Sequence, residues 1–223
     1  MLHQSLGAQA RQLIALRIQI RANHFLVHFA GAGQRYAIDI EDIIWKLPFR
    51  ESGEGGGVKN PKDVSTMVLL PLVRSKVDVP IIAAGGFLDG ATMAAAFALG
   101  AEGVQMGTRM VSANESPVHI NRKNAIVAAE ETDTVFLNRA HSPALRAMRT
   151  EKTTRLEFAV ETNVMSEFGN AQDLYFGGDM EASIALTGQV CGRIDSVRPV
   201  AEIISEIREQ FFEVMGNLSE QYL

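Results

Sequence analysis

Apolar residues in this chain gather into short runs and helical stripes. Val79-Pro80-Ile81-Ile82-Ala83-Ala84 is an apolar run that stops at Gly85-Gly86. A second run, Gly103-Val104-Gln105-Met106, stops at Gly107-Thr108. Runs of roughly four to eight residues ending at glycine read as buried strands followed by sharp turns. Between them, Ala91 to Leu99 reads as a small-residue helix, stopped by Gly100 as a left-handed residue at its carboxyl end. Strand, helix and strand in this order form one βαβ unit, so the two strands should be parallel neighbours.

The same patterning predicts further elements. Val64 to Val77 carries Leu69, Leu70 and Val73 at helical spacing, although Pro71 sits near its middle. Ser116 as cap and Pro117 as first helical residue start a helix to about Ala129, striped by Val118, Ala125, Ile126 and Ala129. Thr134 to Leu137 is a short strand. Pro199 opens a last helix with Ile203, Ile204, Ile207, Phe211 and Val214 on one face and Gly216 as its stop. Before residue 50 the pattern is weaker. Gln9 to Ile20 fits a helix, Phe25 to Phe29 a strand ending at Gly31-Ala32-Gly33, and Tyr36 to Trp45 either.

The candidate chemistry lies in the two glycine turns. Both fall at the carboxyl ends of adjacent parallel strands, where unhindered backbone N–H groups make a phosphate cradle. In (β/α)8 barrels the loops after the last two strands usually form this site. The alternative is that these glycines only permit tight turns.

The stretch AAGGFLDGATMAAAFALGAEGVQMGTR, Ala83 to Arg109, resembles the FMN-dependent nitronate monooxygenases, once called 2-nitropropane dioxygenases. It looks equally like the related flavin enoyl-acyl-carrier-protein reductases, and the likeness runs from about Glu54 to Ile207. Inosine-monophosphate dehydrogenases and glutamate synthases carry similar glycine turns. The resemblance implies a TIM (β/α)8-type barrel with FMN bound by its phosphate at Gly85, Gly86, Gly107 and Thr108. Gln105 and Met106, which lead into that second turn, are expected among the cofactor-binding residues, and Gly56 and Gly57 would lie near the flavin ring.

In the loop ESGEGGGVKN, residues Glu54, Gly56 and Gly57 match the family's E-x-G-G-H-x-G pattern. Val58 stands where the family has its usual catalytic histidine, and Asn60 where it has the following glycine. Valine neither takes nor gives a proton, so the catalytic residue is left unknown and turnover in doubt. Lys59 is expected to be a solvated loop lysine. Ala140 to Thr150 resembles a helical insertion after the last barrel strand, with Arg146 and Arg149 as solvated helix residues or facing an anion, and His141 as a candidate pocket residue. Phe176 to Ile194 resembles a further family element, a helix packed close to the cofactor end of the barrel through Gly178-Asp179, Ser183, Gly188-Gln189, Gly192 and Ile194.

Composition narrows the classes. The chain has 223 residues, 47% hydrophobic and 21% charged, with a net charge of -5. These values suit a globular protein and argue against a nucleic-acid surface. Cys191 is the only cysteine, so no intrachain disulfide is possible. No apolar run is long enough for a membrane span, His119 lacks a partner at metal-ligand spacing, and no signal peptide is evident. A cytoplasmic protein acting on a small-molecule substrate is expected.

A complete barrel of this type takes about 250 residues, whereas 78 precede Val79 here. Residues 1–50 are therefore left unassigned and residues 51–223 read as the carboxyl-terminal part of a barrel incomplete at its amino end. Exposed sheet edges should then favour self-association. Three functional readings remain: nitronate oxidation with oxygen, enoyl-thioester reduction with NAD(P)H, and a non-catalytic barrel fragment.

Overall fold

The computed structural model describes residues 19–21, 24–26, 52–59 and 61–222. The chain divides into two units, residues 1–49 and 50–223. Within the first, strands β1 (Gln19–Arg21) and β2 (His24–Leu26) pair antiparallel, with Ile20 opposite Phe25. Gln19 and Ile20 are thus strand, not the end of a helix from Gln9. The rest of that helix, the Gly31-Ala32-Gly33 turn and Tyr36 to Trp45 lie outside the described residues.

The second unit opens with the glycine loop, β3 (Gly57–Lys59) and helix α1 (Thr66–Arg74). Leu70 is buried on the predicted stripe, while Met67, Val68 and Leu72 are exposed. The predicted βαβ unit follows as β4 (Ile82–Ala84), α2 (Gly90–Ala98) and β5 (Gly103–Gln105). The strands are parallel, with Ile82 opposite Gly103 and Ala84 opposite Gln105. Asp89 caps α2 by accepting from the Thr92 N–H at 2.8 Å, and the Thr92 hydroxyl closes the reciprocal bond. Gly100 has φ +97°, the left-handed stop that its position requires.

Short helix α3 (Thr108–Val111) leaves the second turn directly. Helix α4 spans Ile120–Val127, starting later than predicted. Its cap is His119, whose ring accepts from the Asn121 N–H at 3.1 Å. Ser116 is held instead in a turn on Ala113, and the His119 N–H is committed to the Tyr175 carbonyl, so the helix begins only beyond that anchor.

Strands β6 (Thr134–Leu137) and β7 (Ala144–Met148) pair antiparallel, and β3 joins the other edge of β7. The helix predicted over Ala140 to Thr150 is therefore corrected to a loop and a strand. Every residue of β7 is buried. Leu145 and Ala147 share a core with Val135, Leu137, Leu156, Val164 and Ile184. With every position buried, Arg146 included, β7 shows no in–out alternation, so its spacing alone cannot tell it from a helix.

Helix α5 (Glu151–Glu157) follows. The predicted helix over Phe176 to Ile194 is also corrected. A π turn covers Asp173–Gly177, residues 183–187 run extended, and a 3₁₀ turn covers Gln189–Arg193. The extended part borders β7: Met148 N–H donates to the Ala185 carbonyl at 2.8 Å, and Thr187 N–H to the Arg146 carbonyl at 3.3 Å. Tertiary pairing overrides a composition of small residues that suits close helix packing equally well.

Last, α6 (Val200–Tyr222) buries Ile203 and Ile207. Ile204 is half exposed, off the predicted stripe. Gly216 does not stop the helix, because one exposed interior glycine costs only about 1 kcal/mol. Helix α6 lies on α2, with Phe97 and Phe211 rings 5.4 Å apart. Gly90 makes that approach possible, since a Cβ there would meet the Phe211 nitrogen and Ile207 carbonyl. No helix among the described residues is long and apolar enough to cross a membrane.

Candidate active site

Three separate stretches meet at one corner: the glycine loop, the two strand-end turns, and residues 187–189. Gln189 N–H donates to the Glu54 carbonyl at 2.9 Å, and Gly188 N–H to the Thr108 hydroxyl at 3.0 Å. A Cβ on Gly56 would lie 2.6 Å from the Gly188 nitrogen and the Thr187 carbonyl carbon. Only glycine permits that backbone contact. The residues singled out from the sequence, Gly56, Gly85 and Thr108, are thus brought together by packing.

The two glycine turns differ in what lies over them. A Cβ on Gly85 would meet the Gly55 nitrogen at 2.9 Å, and one on Gly86 the Glu54 carboxylate at 2.6 Å. That carboxylate is tied down by the Ser52 hydroxyl at 3.2 Å and the Thr66 N–H at 3.3 Å. The Thr66 hydroxyl in turn donates to the Gly85 carbonyl at 2.9 Å. Space over the first turn is therefore filled by protein, and by a negative charge. Over Gly107 and Gly57, by contrast, an added Cβ meets nothing within 4 Å.

The open side of the corner is formed by the end of β5 and the turn after it. Gly107 is exposed, and Gln105 is exposed at the end of β5. The Thr108 oxygen accepts from the Gly188 N–H at 3.0 Å, and its hydroxyl can still donate to a second partner. The Met106 side chain turns inward and packs against two apolar clusters, so only its backbone borders the turn.

On β3, Val58 is 55% exposed and Lys59 is 8% exposed, as alternation along a strand requires. The expectation of a solvated Lys59 is corrected: its ammonium lies 2.8 Å from where a Cβ on Gly55 would be. The glycine loop folds over the lysine. Arg146 is likewise buried rather than solvated or facing a ligand, donating to the Gly53 carbonyl and, at 3.2 Å, to Thr134. Arg149 pairs with Glu157 at 2.7 Å. His141 is partly buried, and its Nε2 has no partner. Among the described residues no cluster could hold a metal ion.

Sequence reasoning missed Arg109 and Arg122, which are 4% and 1% exposed. Arg109 donates twice to the Ser196 carbonyl at 3.1 Å. A polar hollow of about 200 Å³ beside it is lined by Asp89, Arg193, Asp195, Arg198 and Glu206. Its charges pair among themselves, Arg193 with Asp89 and Arg198 with Glu206 at 2.5 Å. A larger, shallower hollow of about 540 Å³ is lined by Glu151, Lys152, Arg155, Glu167 and Glu181. Neither hollow is lined by residues of the glycine corner, where Gly107 and Gln105 are exposed.

Residues 50–210 match the family description "Nitronate monooxygenase". The chain belongs to the nitronate monooxygenase family. A probable nitronate monooxygenase of Staphylococcus aureus is 30% identical over 175 residues, covering 73% of this chain and 48% of that protein. A 5-hydroxy-7a-methyl-1-oxo-octahydroindene-carboxyl-CoA dehydrogenase of Rhodococcus jostii is 42% identical over 107 residues, 48% of this chain and 30% of that one. The solved structure of FabK from Thermotoga maritima is similar with a TM-score of 0.71 and 39% identity, over 76% of this chain and 55% of that one. Nitroalkane oxidase from Streptomyces ansochromogenes shares the fold at a TM-score of 0.60 and 22% identity, over 75% and 52%. The chain spans about half the length of the Staphylococcus aureus and Thermotoga maritima proteins it matches. Family membership implies a TIM-barrel fold, and the described residues show its α/β character.

Proposed function

We propose that this chain is the carboxyl-terminal part of an FMN-dependent oxidoreductase of nitronate monooxygenase type, acting in the cytoplasm on nitronates with molecular oxygen. The observation that carries this reading is the corner at Gly107 and Thr108, open to solvent and braced by Gly188 against the glycine loop. Open space over Gly107, the free proton of Thr108 and the exposed Gln105 amide suit the phosphate of FMN. Gly57, with open space above it, would face the flavin ring. When bound, FMN supplies the redox chemistry, while the protein supplies position and electrostatics.

Val58 offers no proton to a substrate at the position where the resemblance places a histidine. Its exposure leaves that position facing outward, so the chain is expected to turn over slowly. Oxygen uptake with a nitroalkane anion and added FMN tests the activity. Uptake that follows protein and FMN concentration supports it, and its absence in flavin-loaded protein refutes it.

A second reading is reduction of an enoyl thioester with NAD(P)H. The relative named as a carboxyl-CoA dehydrogenase, 42% identical where it aligns, favours thioester chemistry. NADH oxidation dependent on an enoyl thioester, without nitronate-dependent oxygen uptake, would select it.

A further inference from the structure

Arg122 is 1% exposed, yet no carboxylate pairs with it among the described residues. One terminal nitrogen donates to the Leu186 carbonyl at 2.7 Å and to the Thr187 hydroxyl, and the other approaches the Met148 sulfur at 3.4 Å. Its Nε is buried without a partner. Burial pulls the guanidinium below its ordinary range, and no carboxylate is among the groups that act on it. Arginine keeps its proton even so. Other buried arginines are compensated: Asp63 lies 3.9 Å from Arg146, and Asp195 and Glu206 act on Arg109.

The guanidinium carbon lies 5.9 Å from the Tyr175 ring centroid, but a buried charge without an anionic partner remains costly to fold around. Its surroundings here point to a use. Thr187, which Arg122 holds, lies with its backbone against Gly56, and Gly188 donates to Thr108. Arg122 therefore stands one residue behind the open corner, linked to it through Thr187 and Gly188.

We propose that Arg122 is a positioning residue whose charge, which no carboxylate pairs with among the described residues, is balanced by an anionic group bound at the Gly107–Thr108 corner, so that the site selects a phosphorylated ligand. Identifying that ligand as FMN rests on the proposed function, whereas the charge argument holds for any phosphate.

The test compares the full chain with Arg122→Met and Arg122→Lys. FMN affinity, riboflavin affinity and the melting shift in inorganic phosphate are the readouts. Arg122→Met should weaken FMN binding by at least about tenfold while riboflavin, which lacks the phosphate, changes by less than about threefold. Arg122→Lys, which keeps the charge without the two-donor geometry, should retain FMN within about threefold. Phosphate should raise the melting temperature of the parent and not of Arg122→Met.

Equal losses for FMN and riboflavin, or a lysine variant as weak as the methionine one, would leave Arg122 a mere brace and overturn the proposal. If the parent binds no flavin but responds to phosphate, and Arg122→Met abolishes that response, the role of Arg122 stands and the flavin reading falls. A parent that responds to neither overturns both. Should Arg122→Met not fold, Arg122→Gln replaces it with the same expectations.

Discussion

Gly107 and Gly56 are both glycines of the candidate site, yet their substitutions should fail differently. At Gly107, φ is -90° and an added side chain meets nothing within 4 Å. Gly107→Val should therefore leave the melting temperature nearly unchanged while weakening FMN binding, because the branched chain fills the space meant for the phosphate. Retention of FMN at parental affinity by this variant would remove the phosphate from this turn. At Gly56 the added Cβ collides with backbone that cannot rotate away. Gly56→Ala should destabilise the fold by about 1–3 kcal/mol, the usual cost of overpacking, measurable by denaturant unfolding. Val58→His is the third case. The position is exposed, so a histidine fits without strain. It should raise turnover of flavin-loaded protein, by up to roughly 10²–10⁴-fold if the acid–base group is what is missing. Unchanged steady-state rates would place the deficit elsewhere.

The capping box of α2 is the element whose chemistry is easiest to perturb. Burial acts to raise the Asp89 carboxyl, but the Thr92 N–H and hydroxyl and the Arg193 guanidinium outweigh it and hold the group below its ordinary range. A carboxylate held low contributes stability above its unfolded pKa and loses it as pH falls through the folded value. Asp89→Asn keeps a capping acceptor but no charge. It should be less stable than the parent at neutral pH, and the gap should close below about pH 4. A gap independent of pH would show that the charge contributes nothing. The βαβ unit around this cap was legible in the sequence because its signals are local: apolar runs, Gly100, and small residues between. The hairpin at β7 and the extended residues 183–187 were not, because what makes them strands is pairing with each other across the chain. Near the candidate site, the turn at Gly107-Thr108 could be read from the apolar run before it, whereas the burial of Lys59, Arg109 and Arg122 could not. A charged residue signals burial only through partners that the fold supplies.

At the scale of the molecule, the faces of the parallel pair bear on assembly. Among the described residues β4 and β5 form a sheet of two strands. Ile82 is 55% exposed on it and Met67 is 67% exposed on neighbouring α1, while the opposite face is packed through Ala83. Parallel sheets are ordinarily covered on both faces. Self-association is therefore the expected solution behaviour, and light scattering at micromolar concentration checks it; a sharp monomer peak would count against it. Activity of the whole is a separate matter from the corner that would hold the cofactor, and the corner is the central claim. Titration of FMN into the purified full chain, followed by flavin fluorescence, tests it most directly. Saturable binding of one FMN per chain, weakened by Gly107→Val in folded protein, is the predicted result. A folded chain that leaves FMN fluorescence unchanged at saturating protein would contradict it.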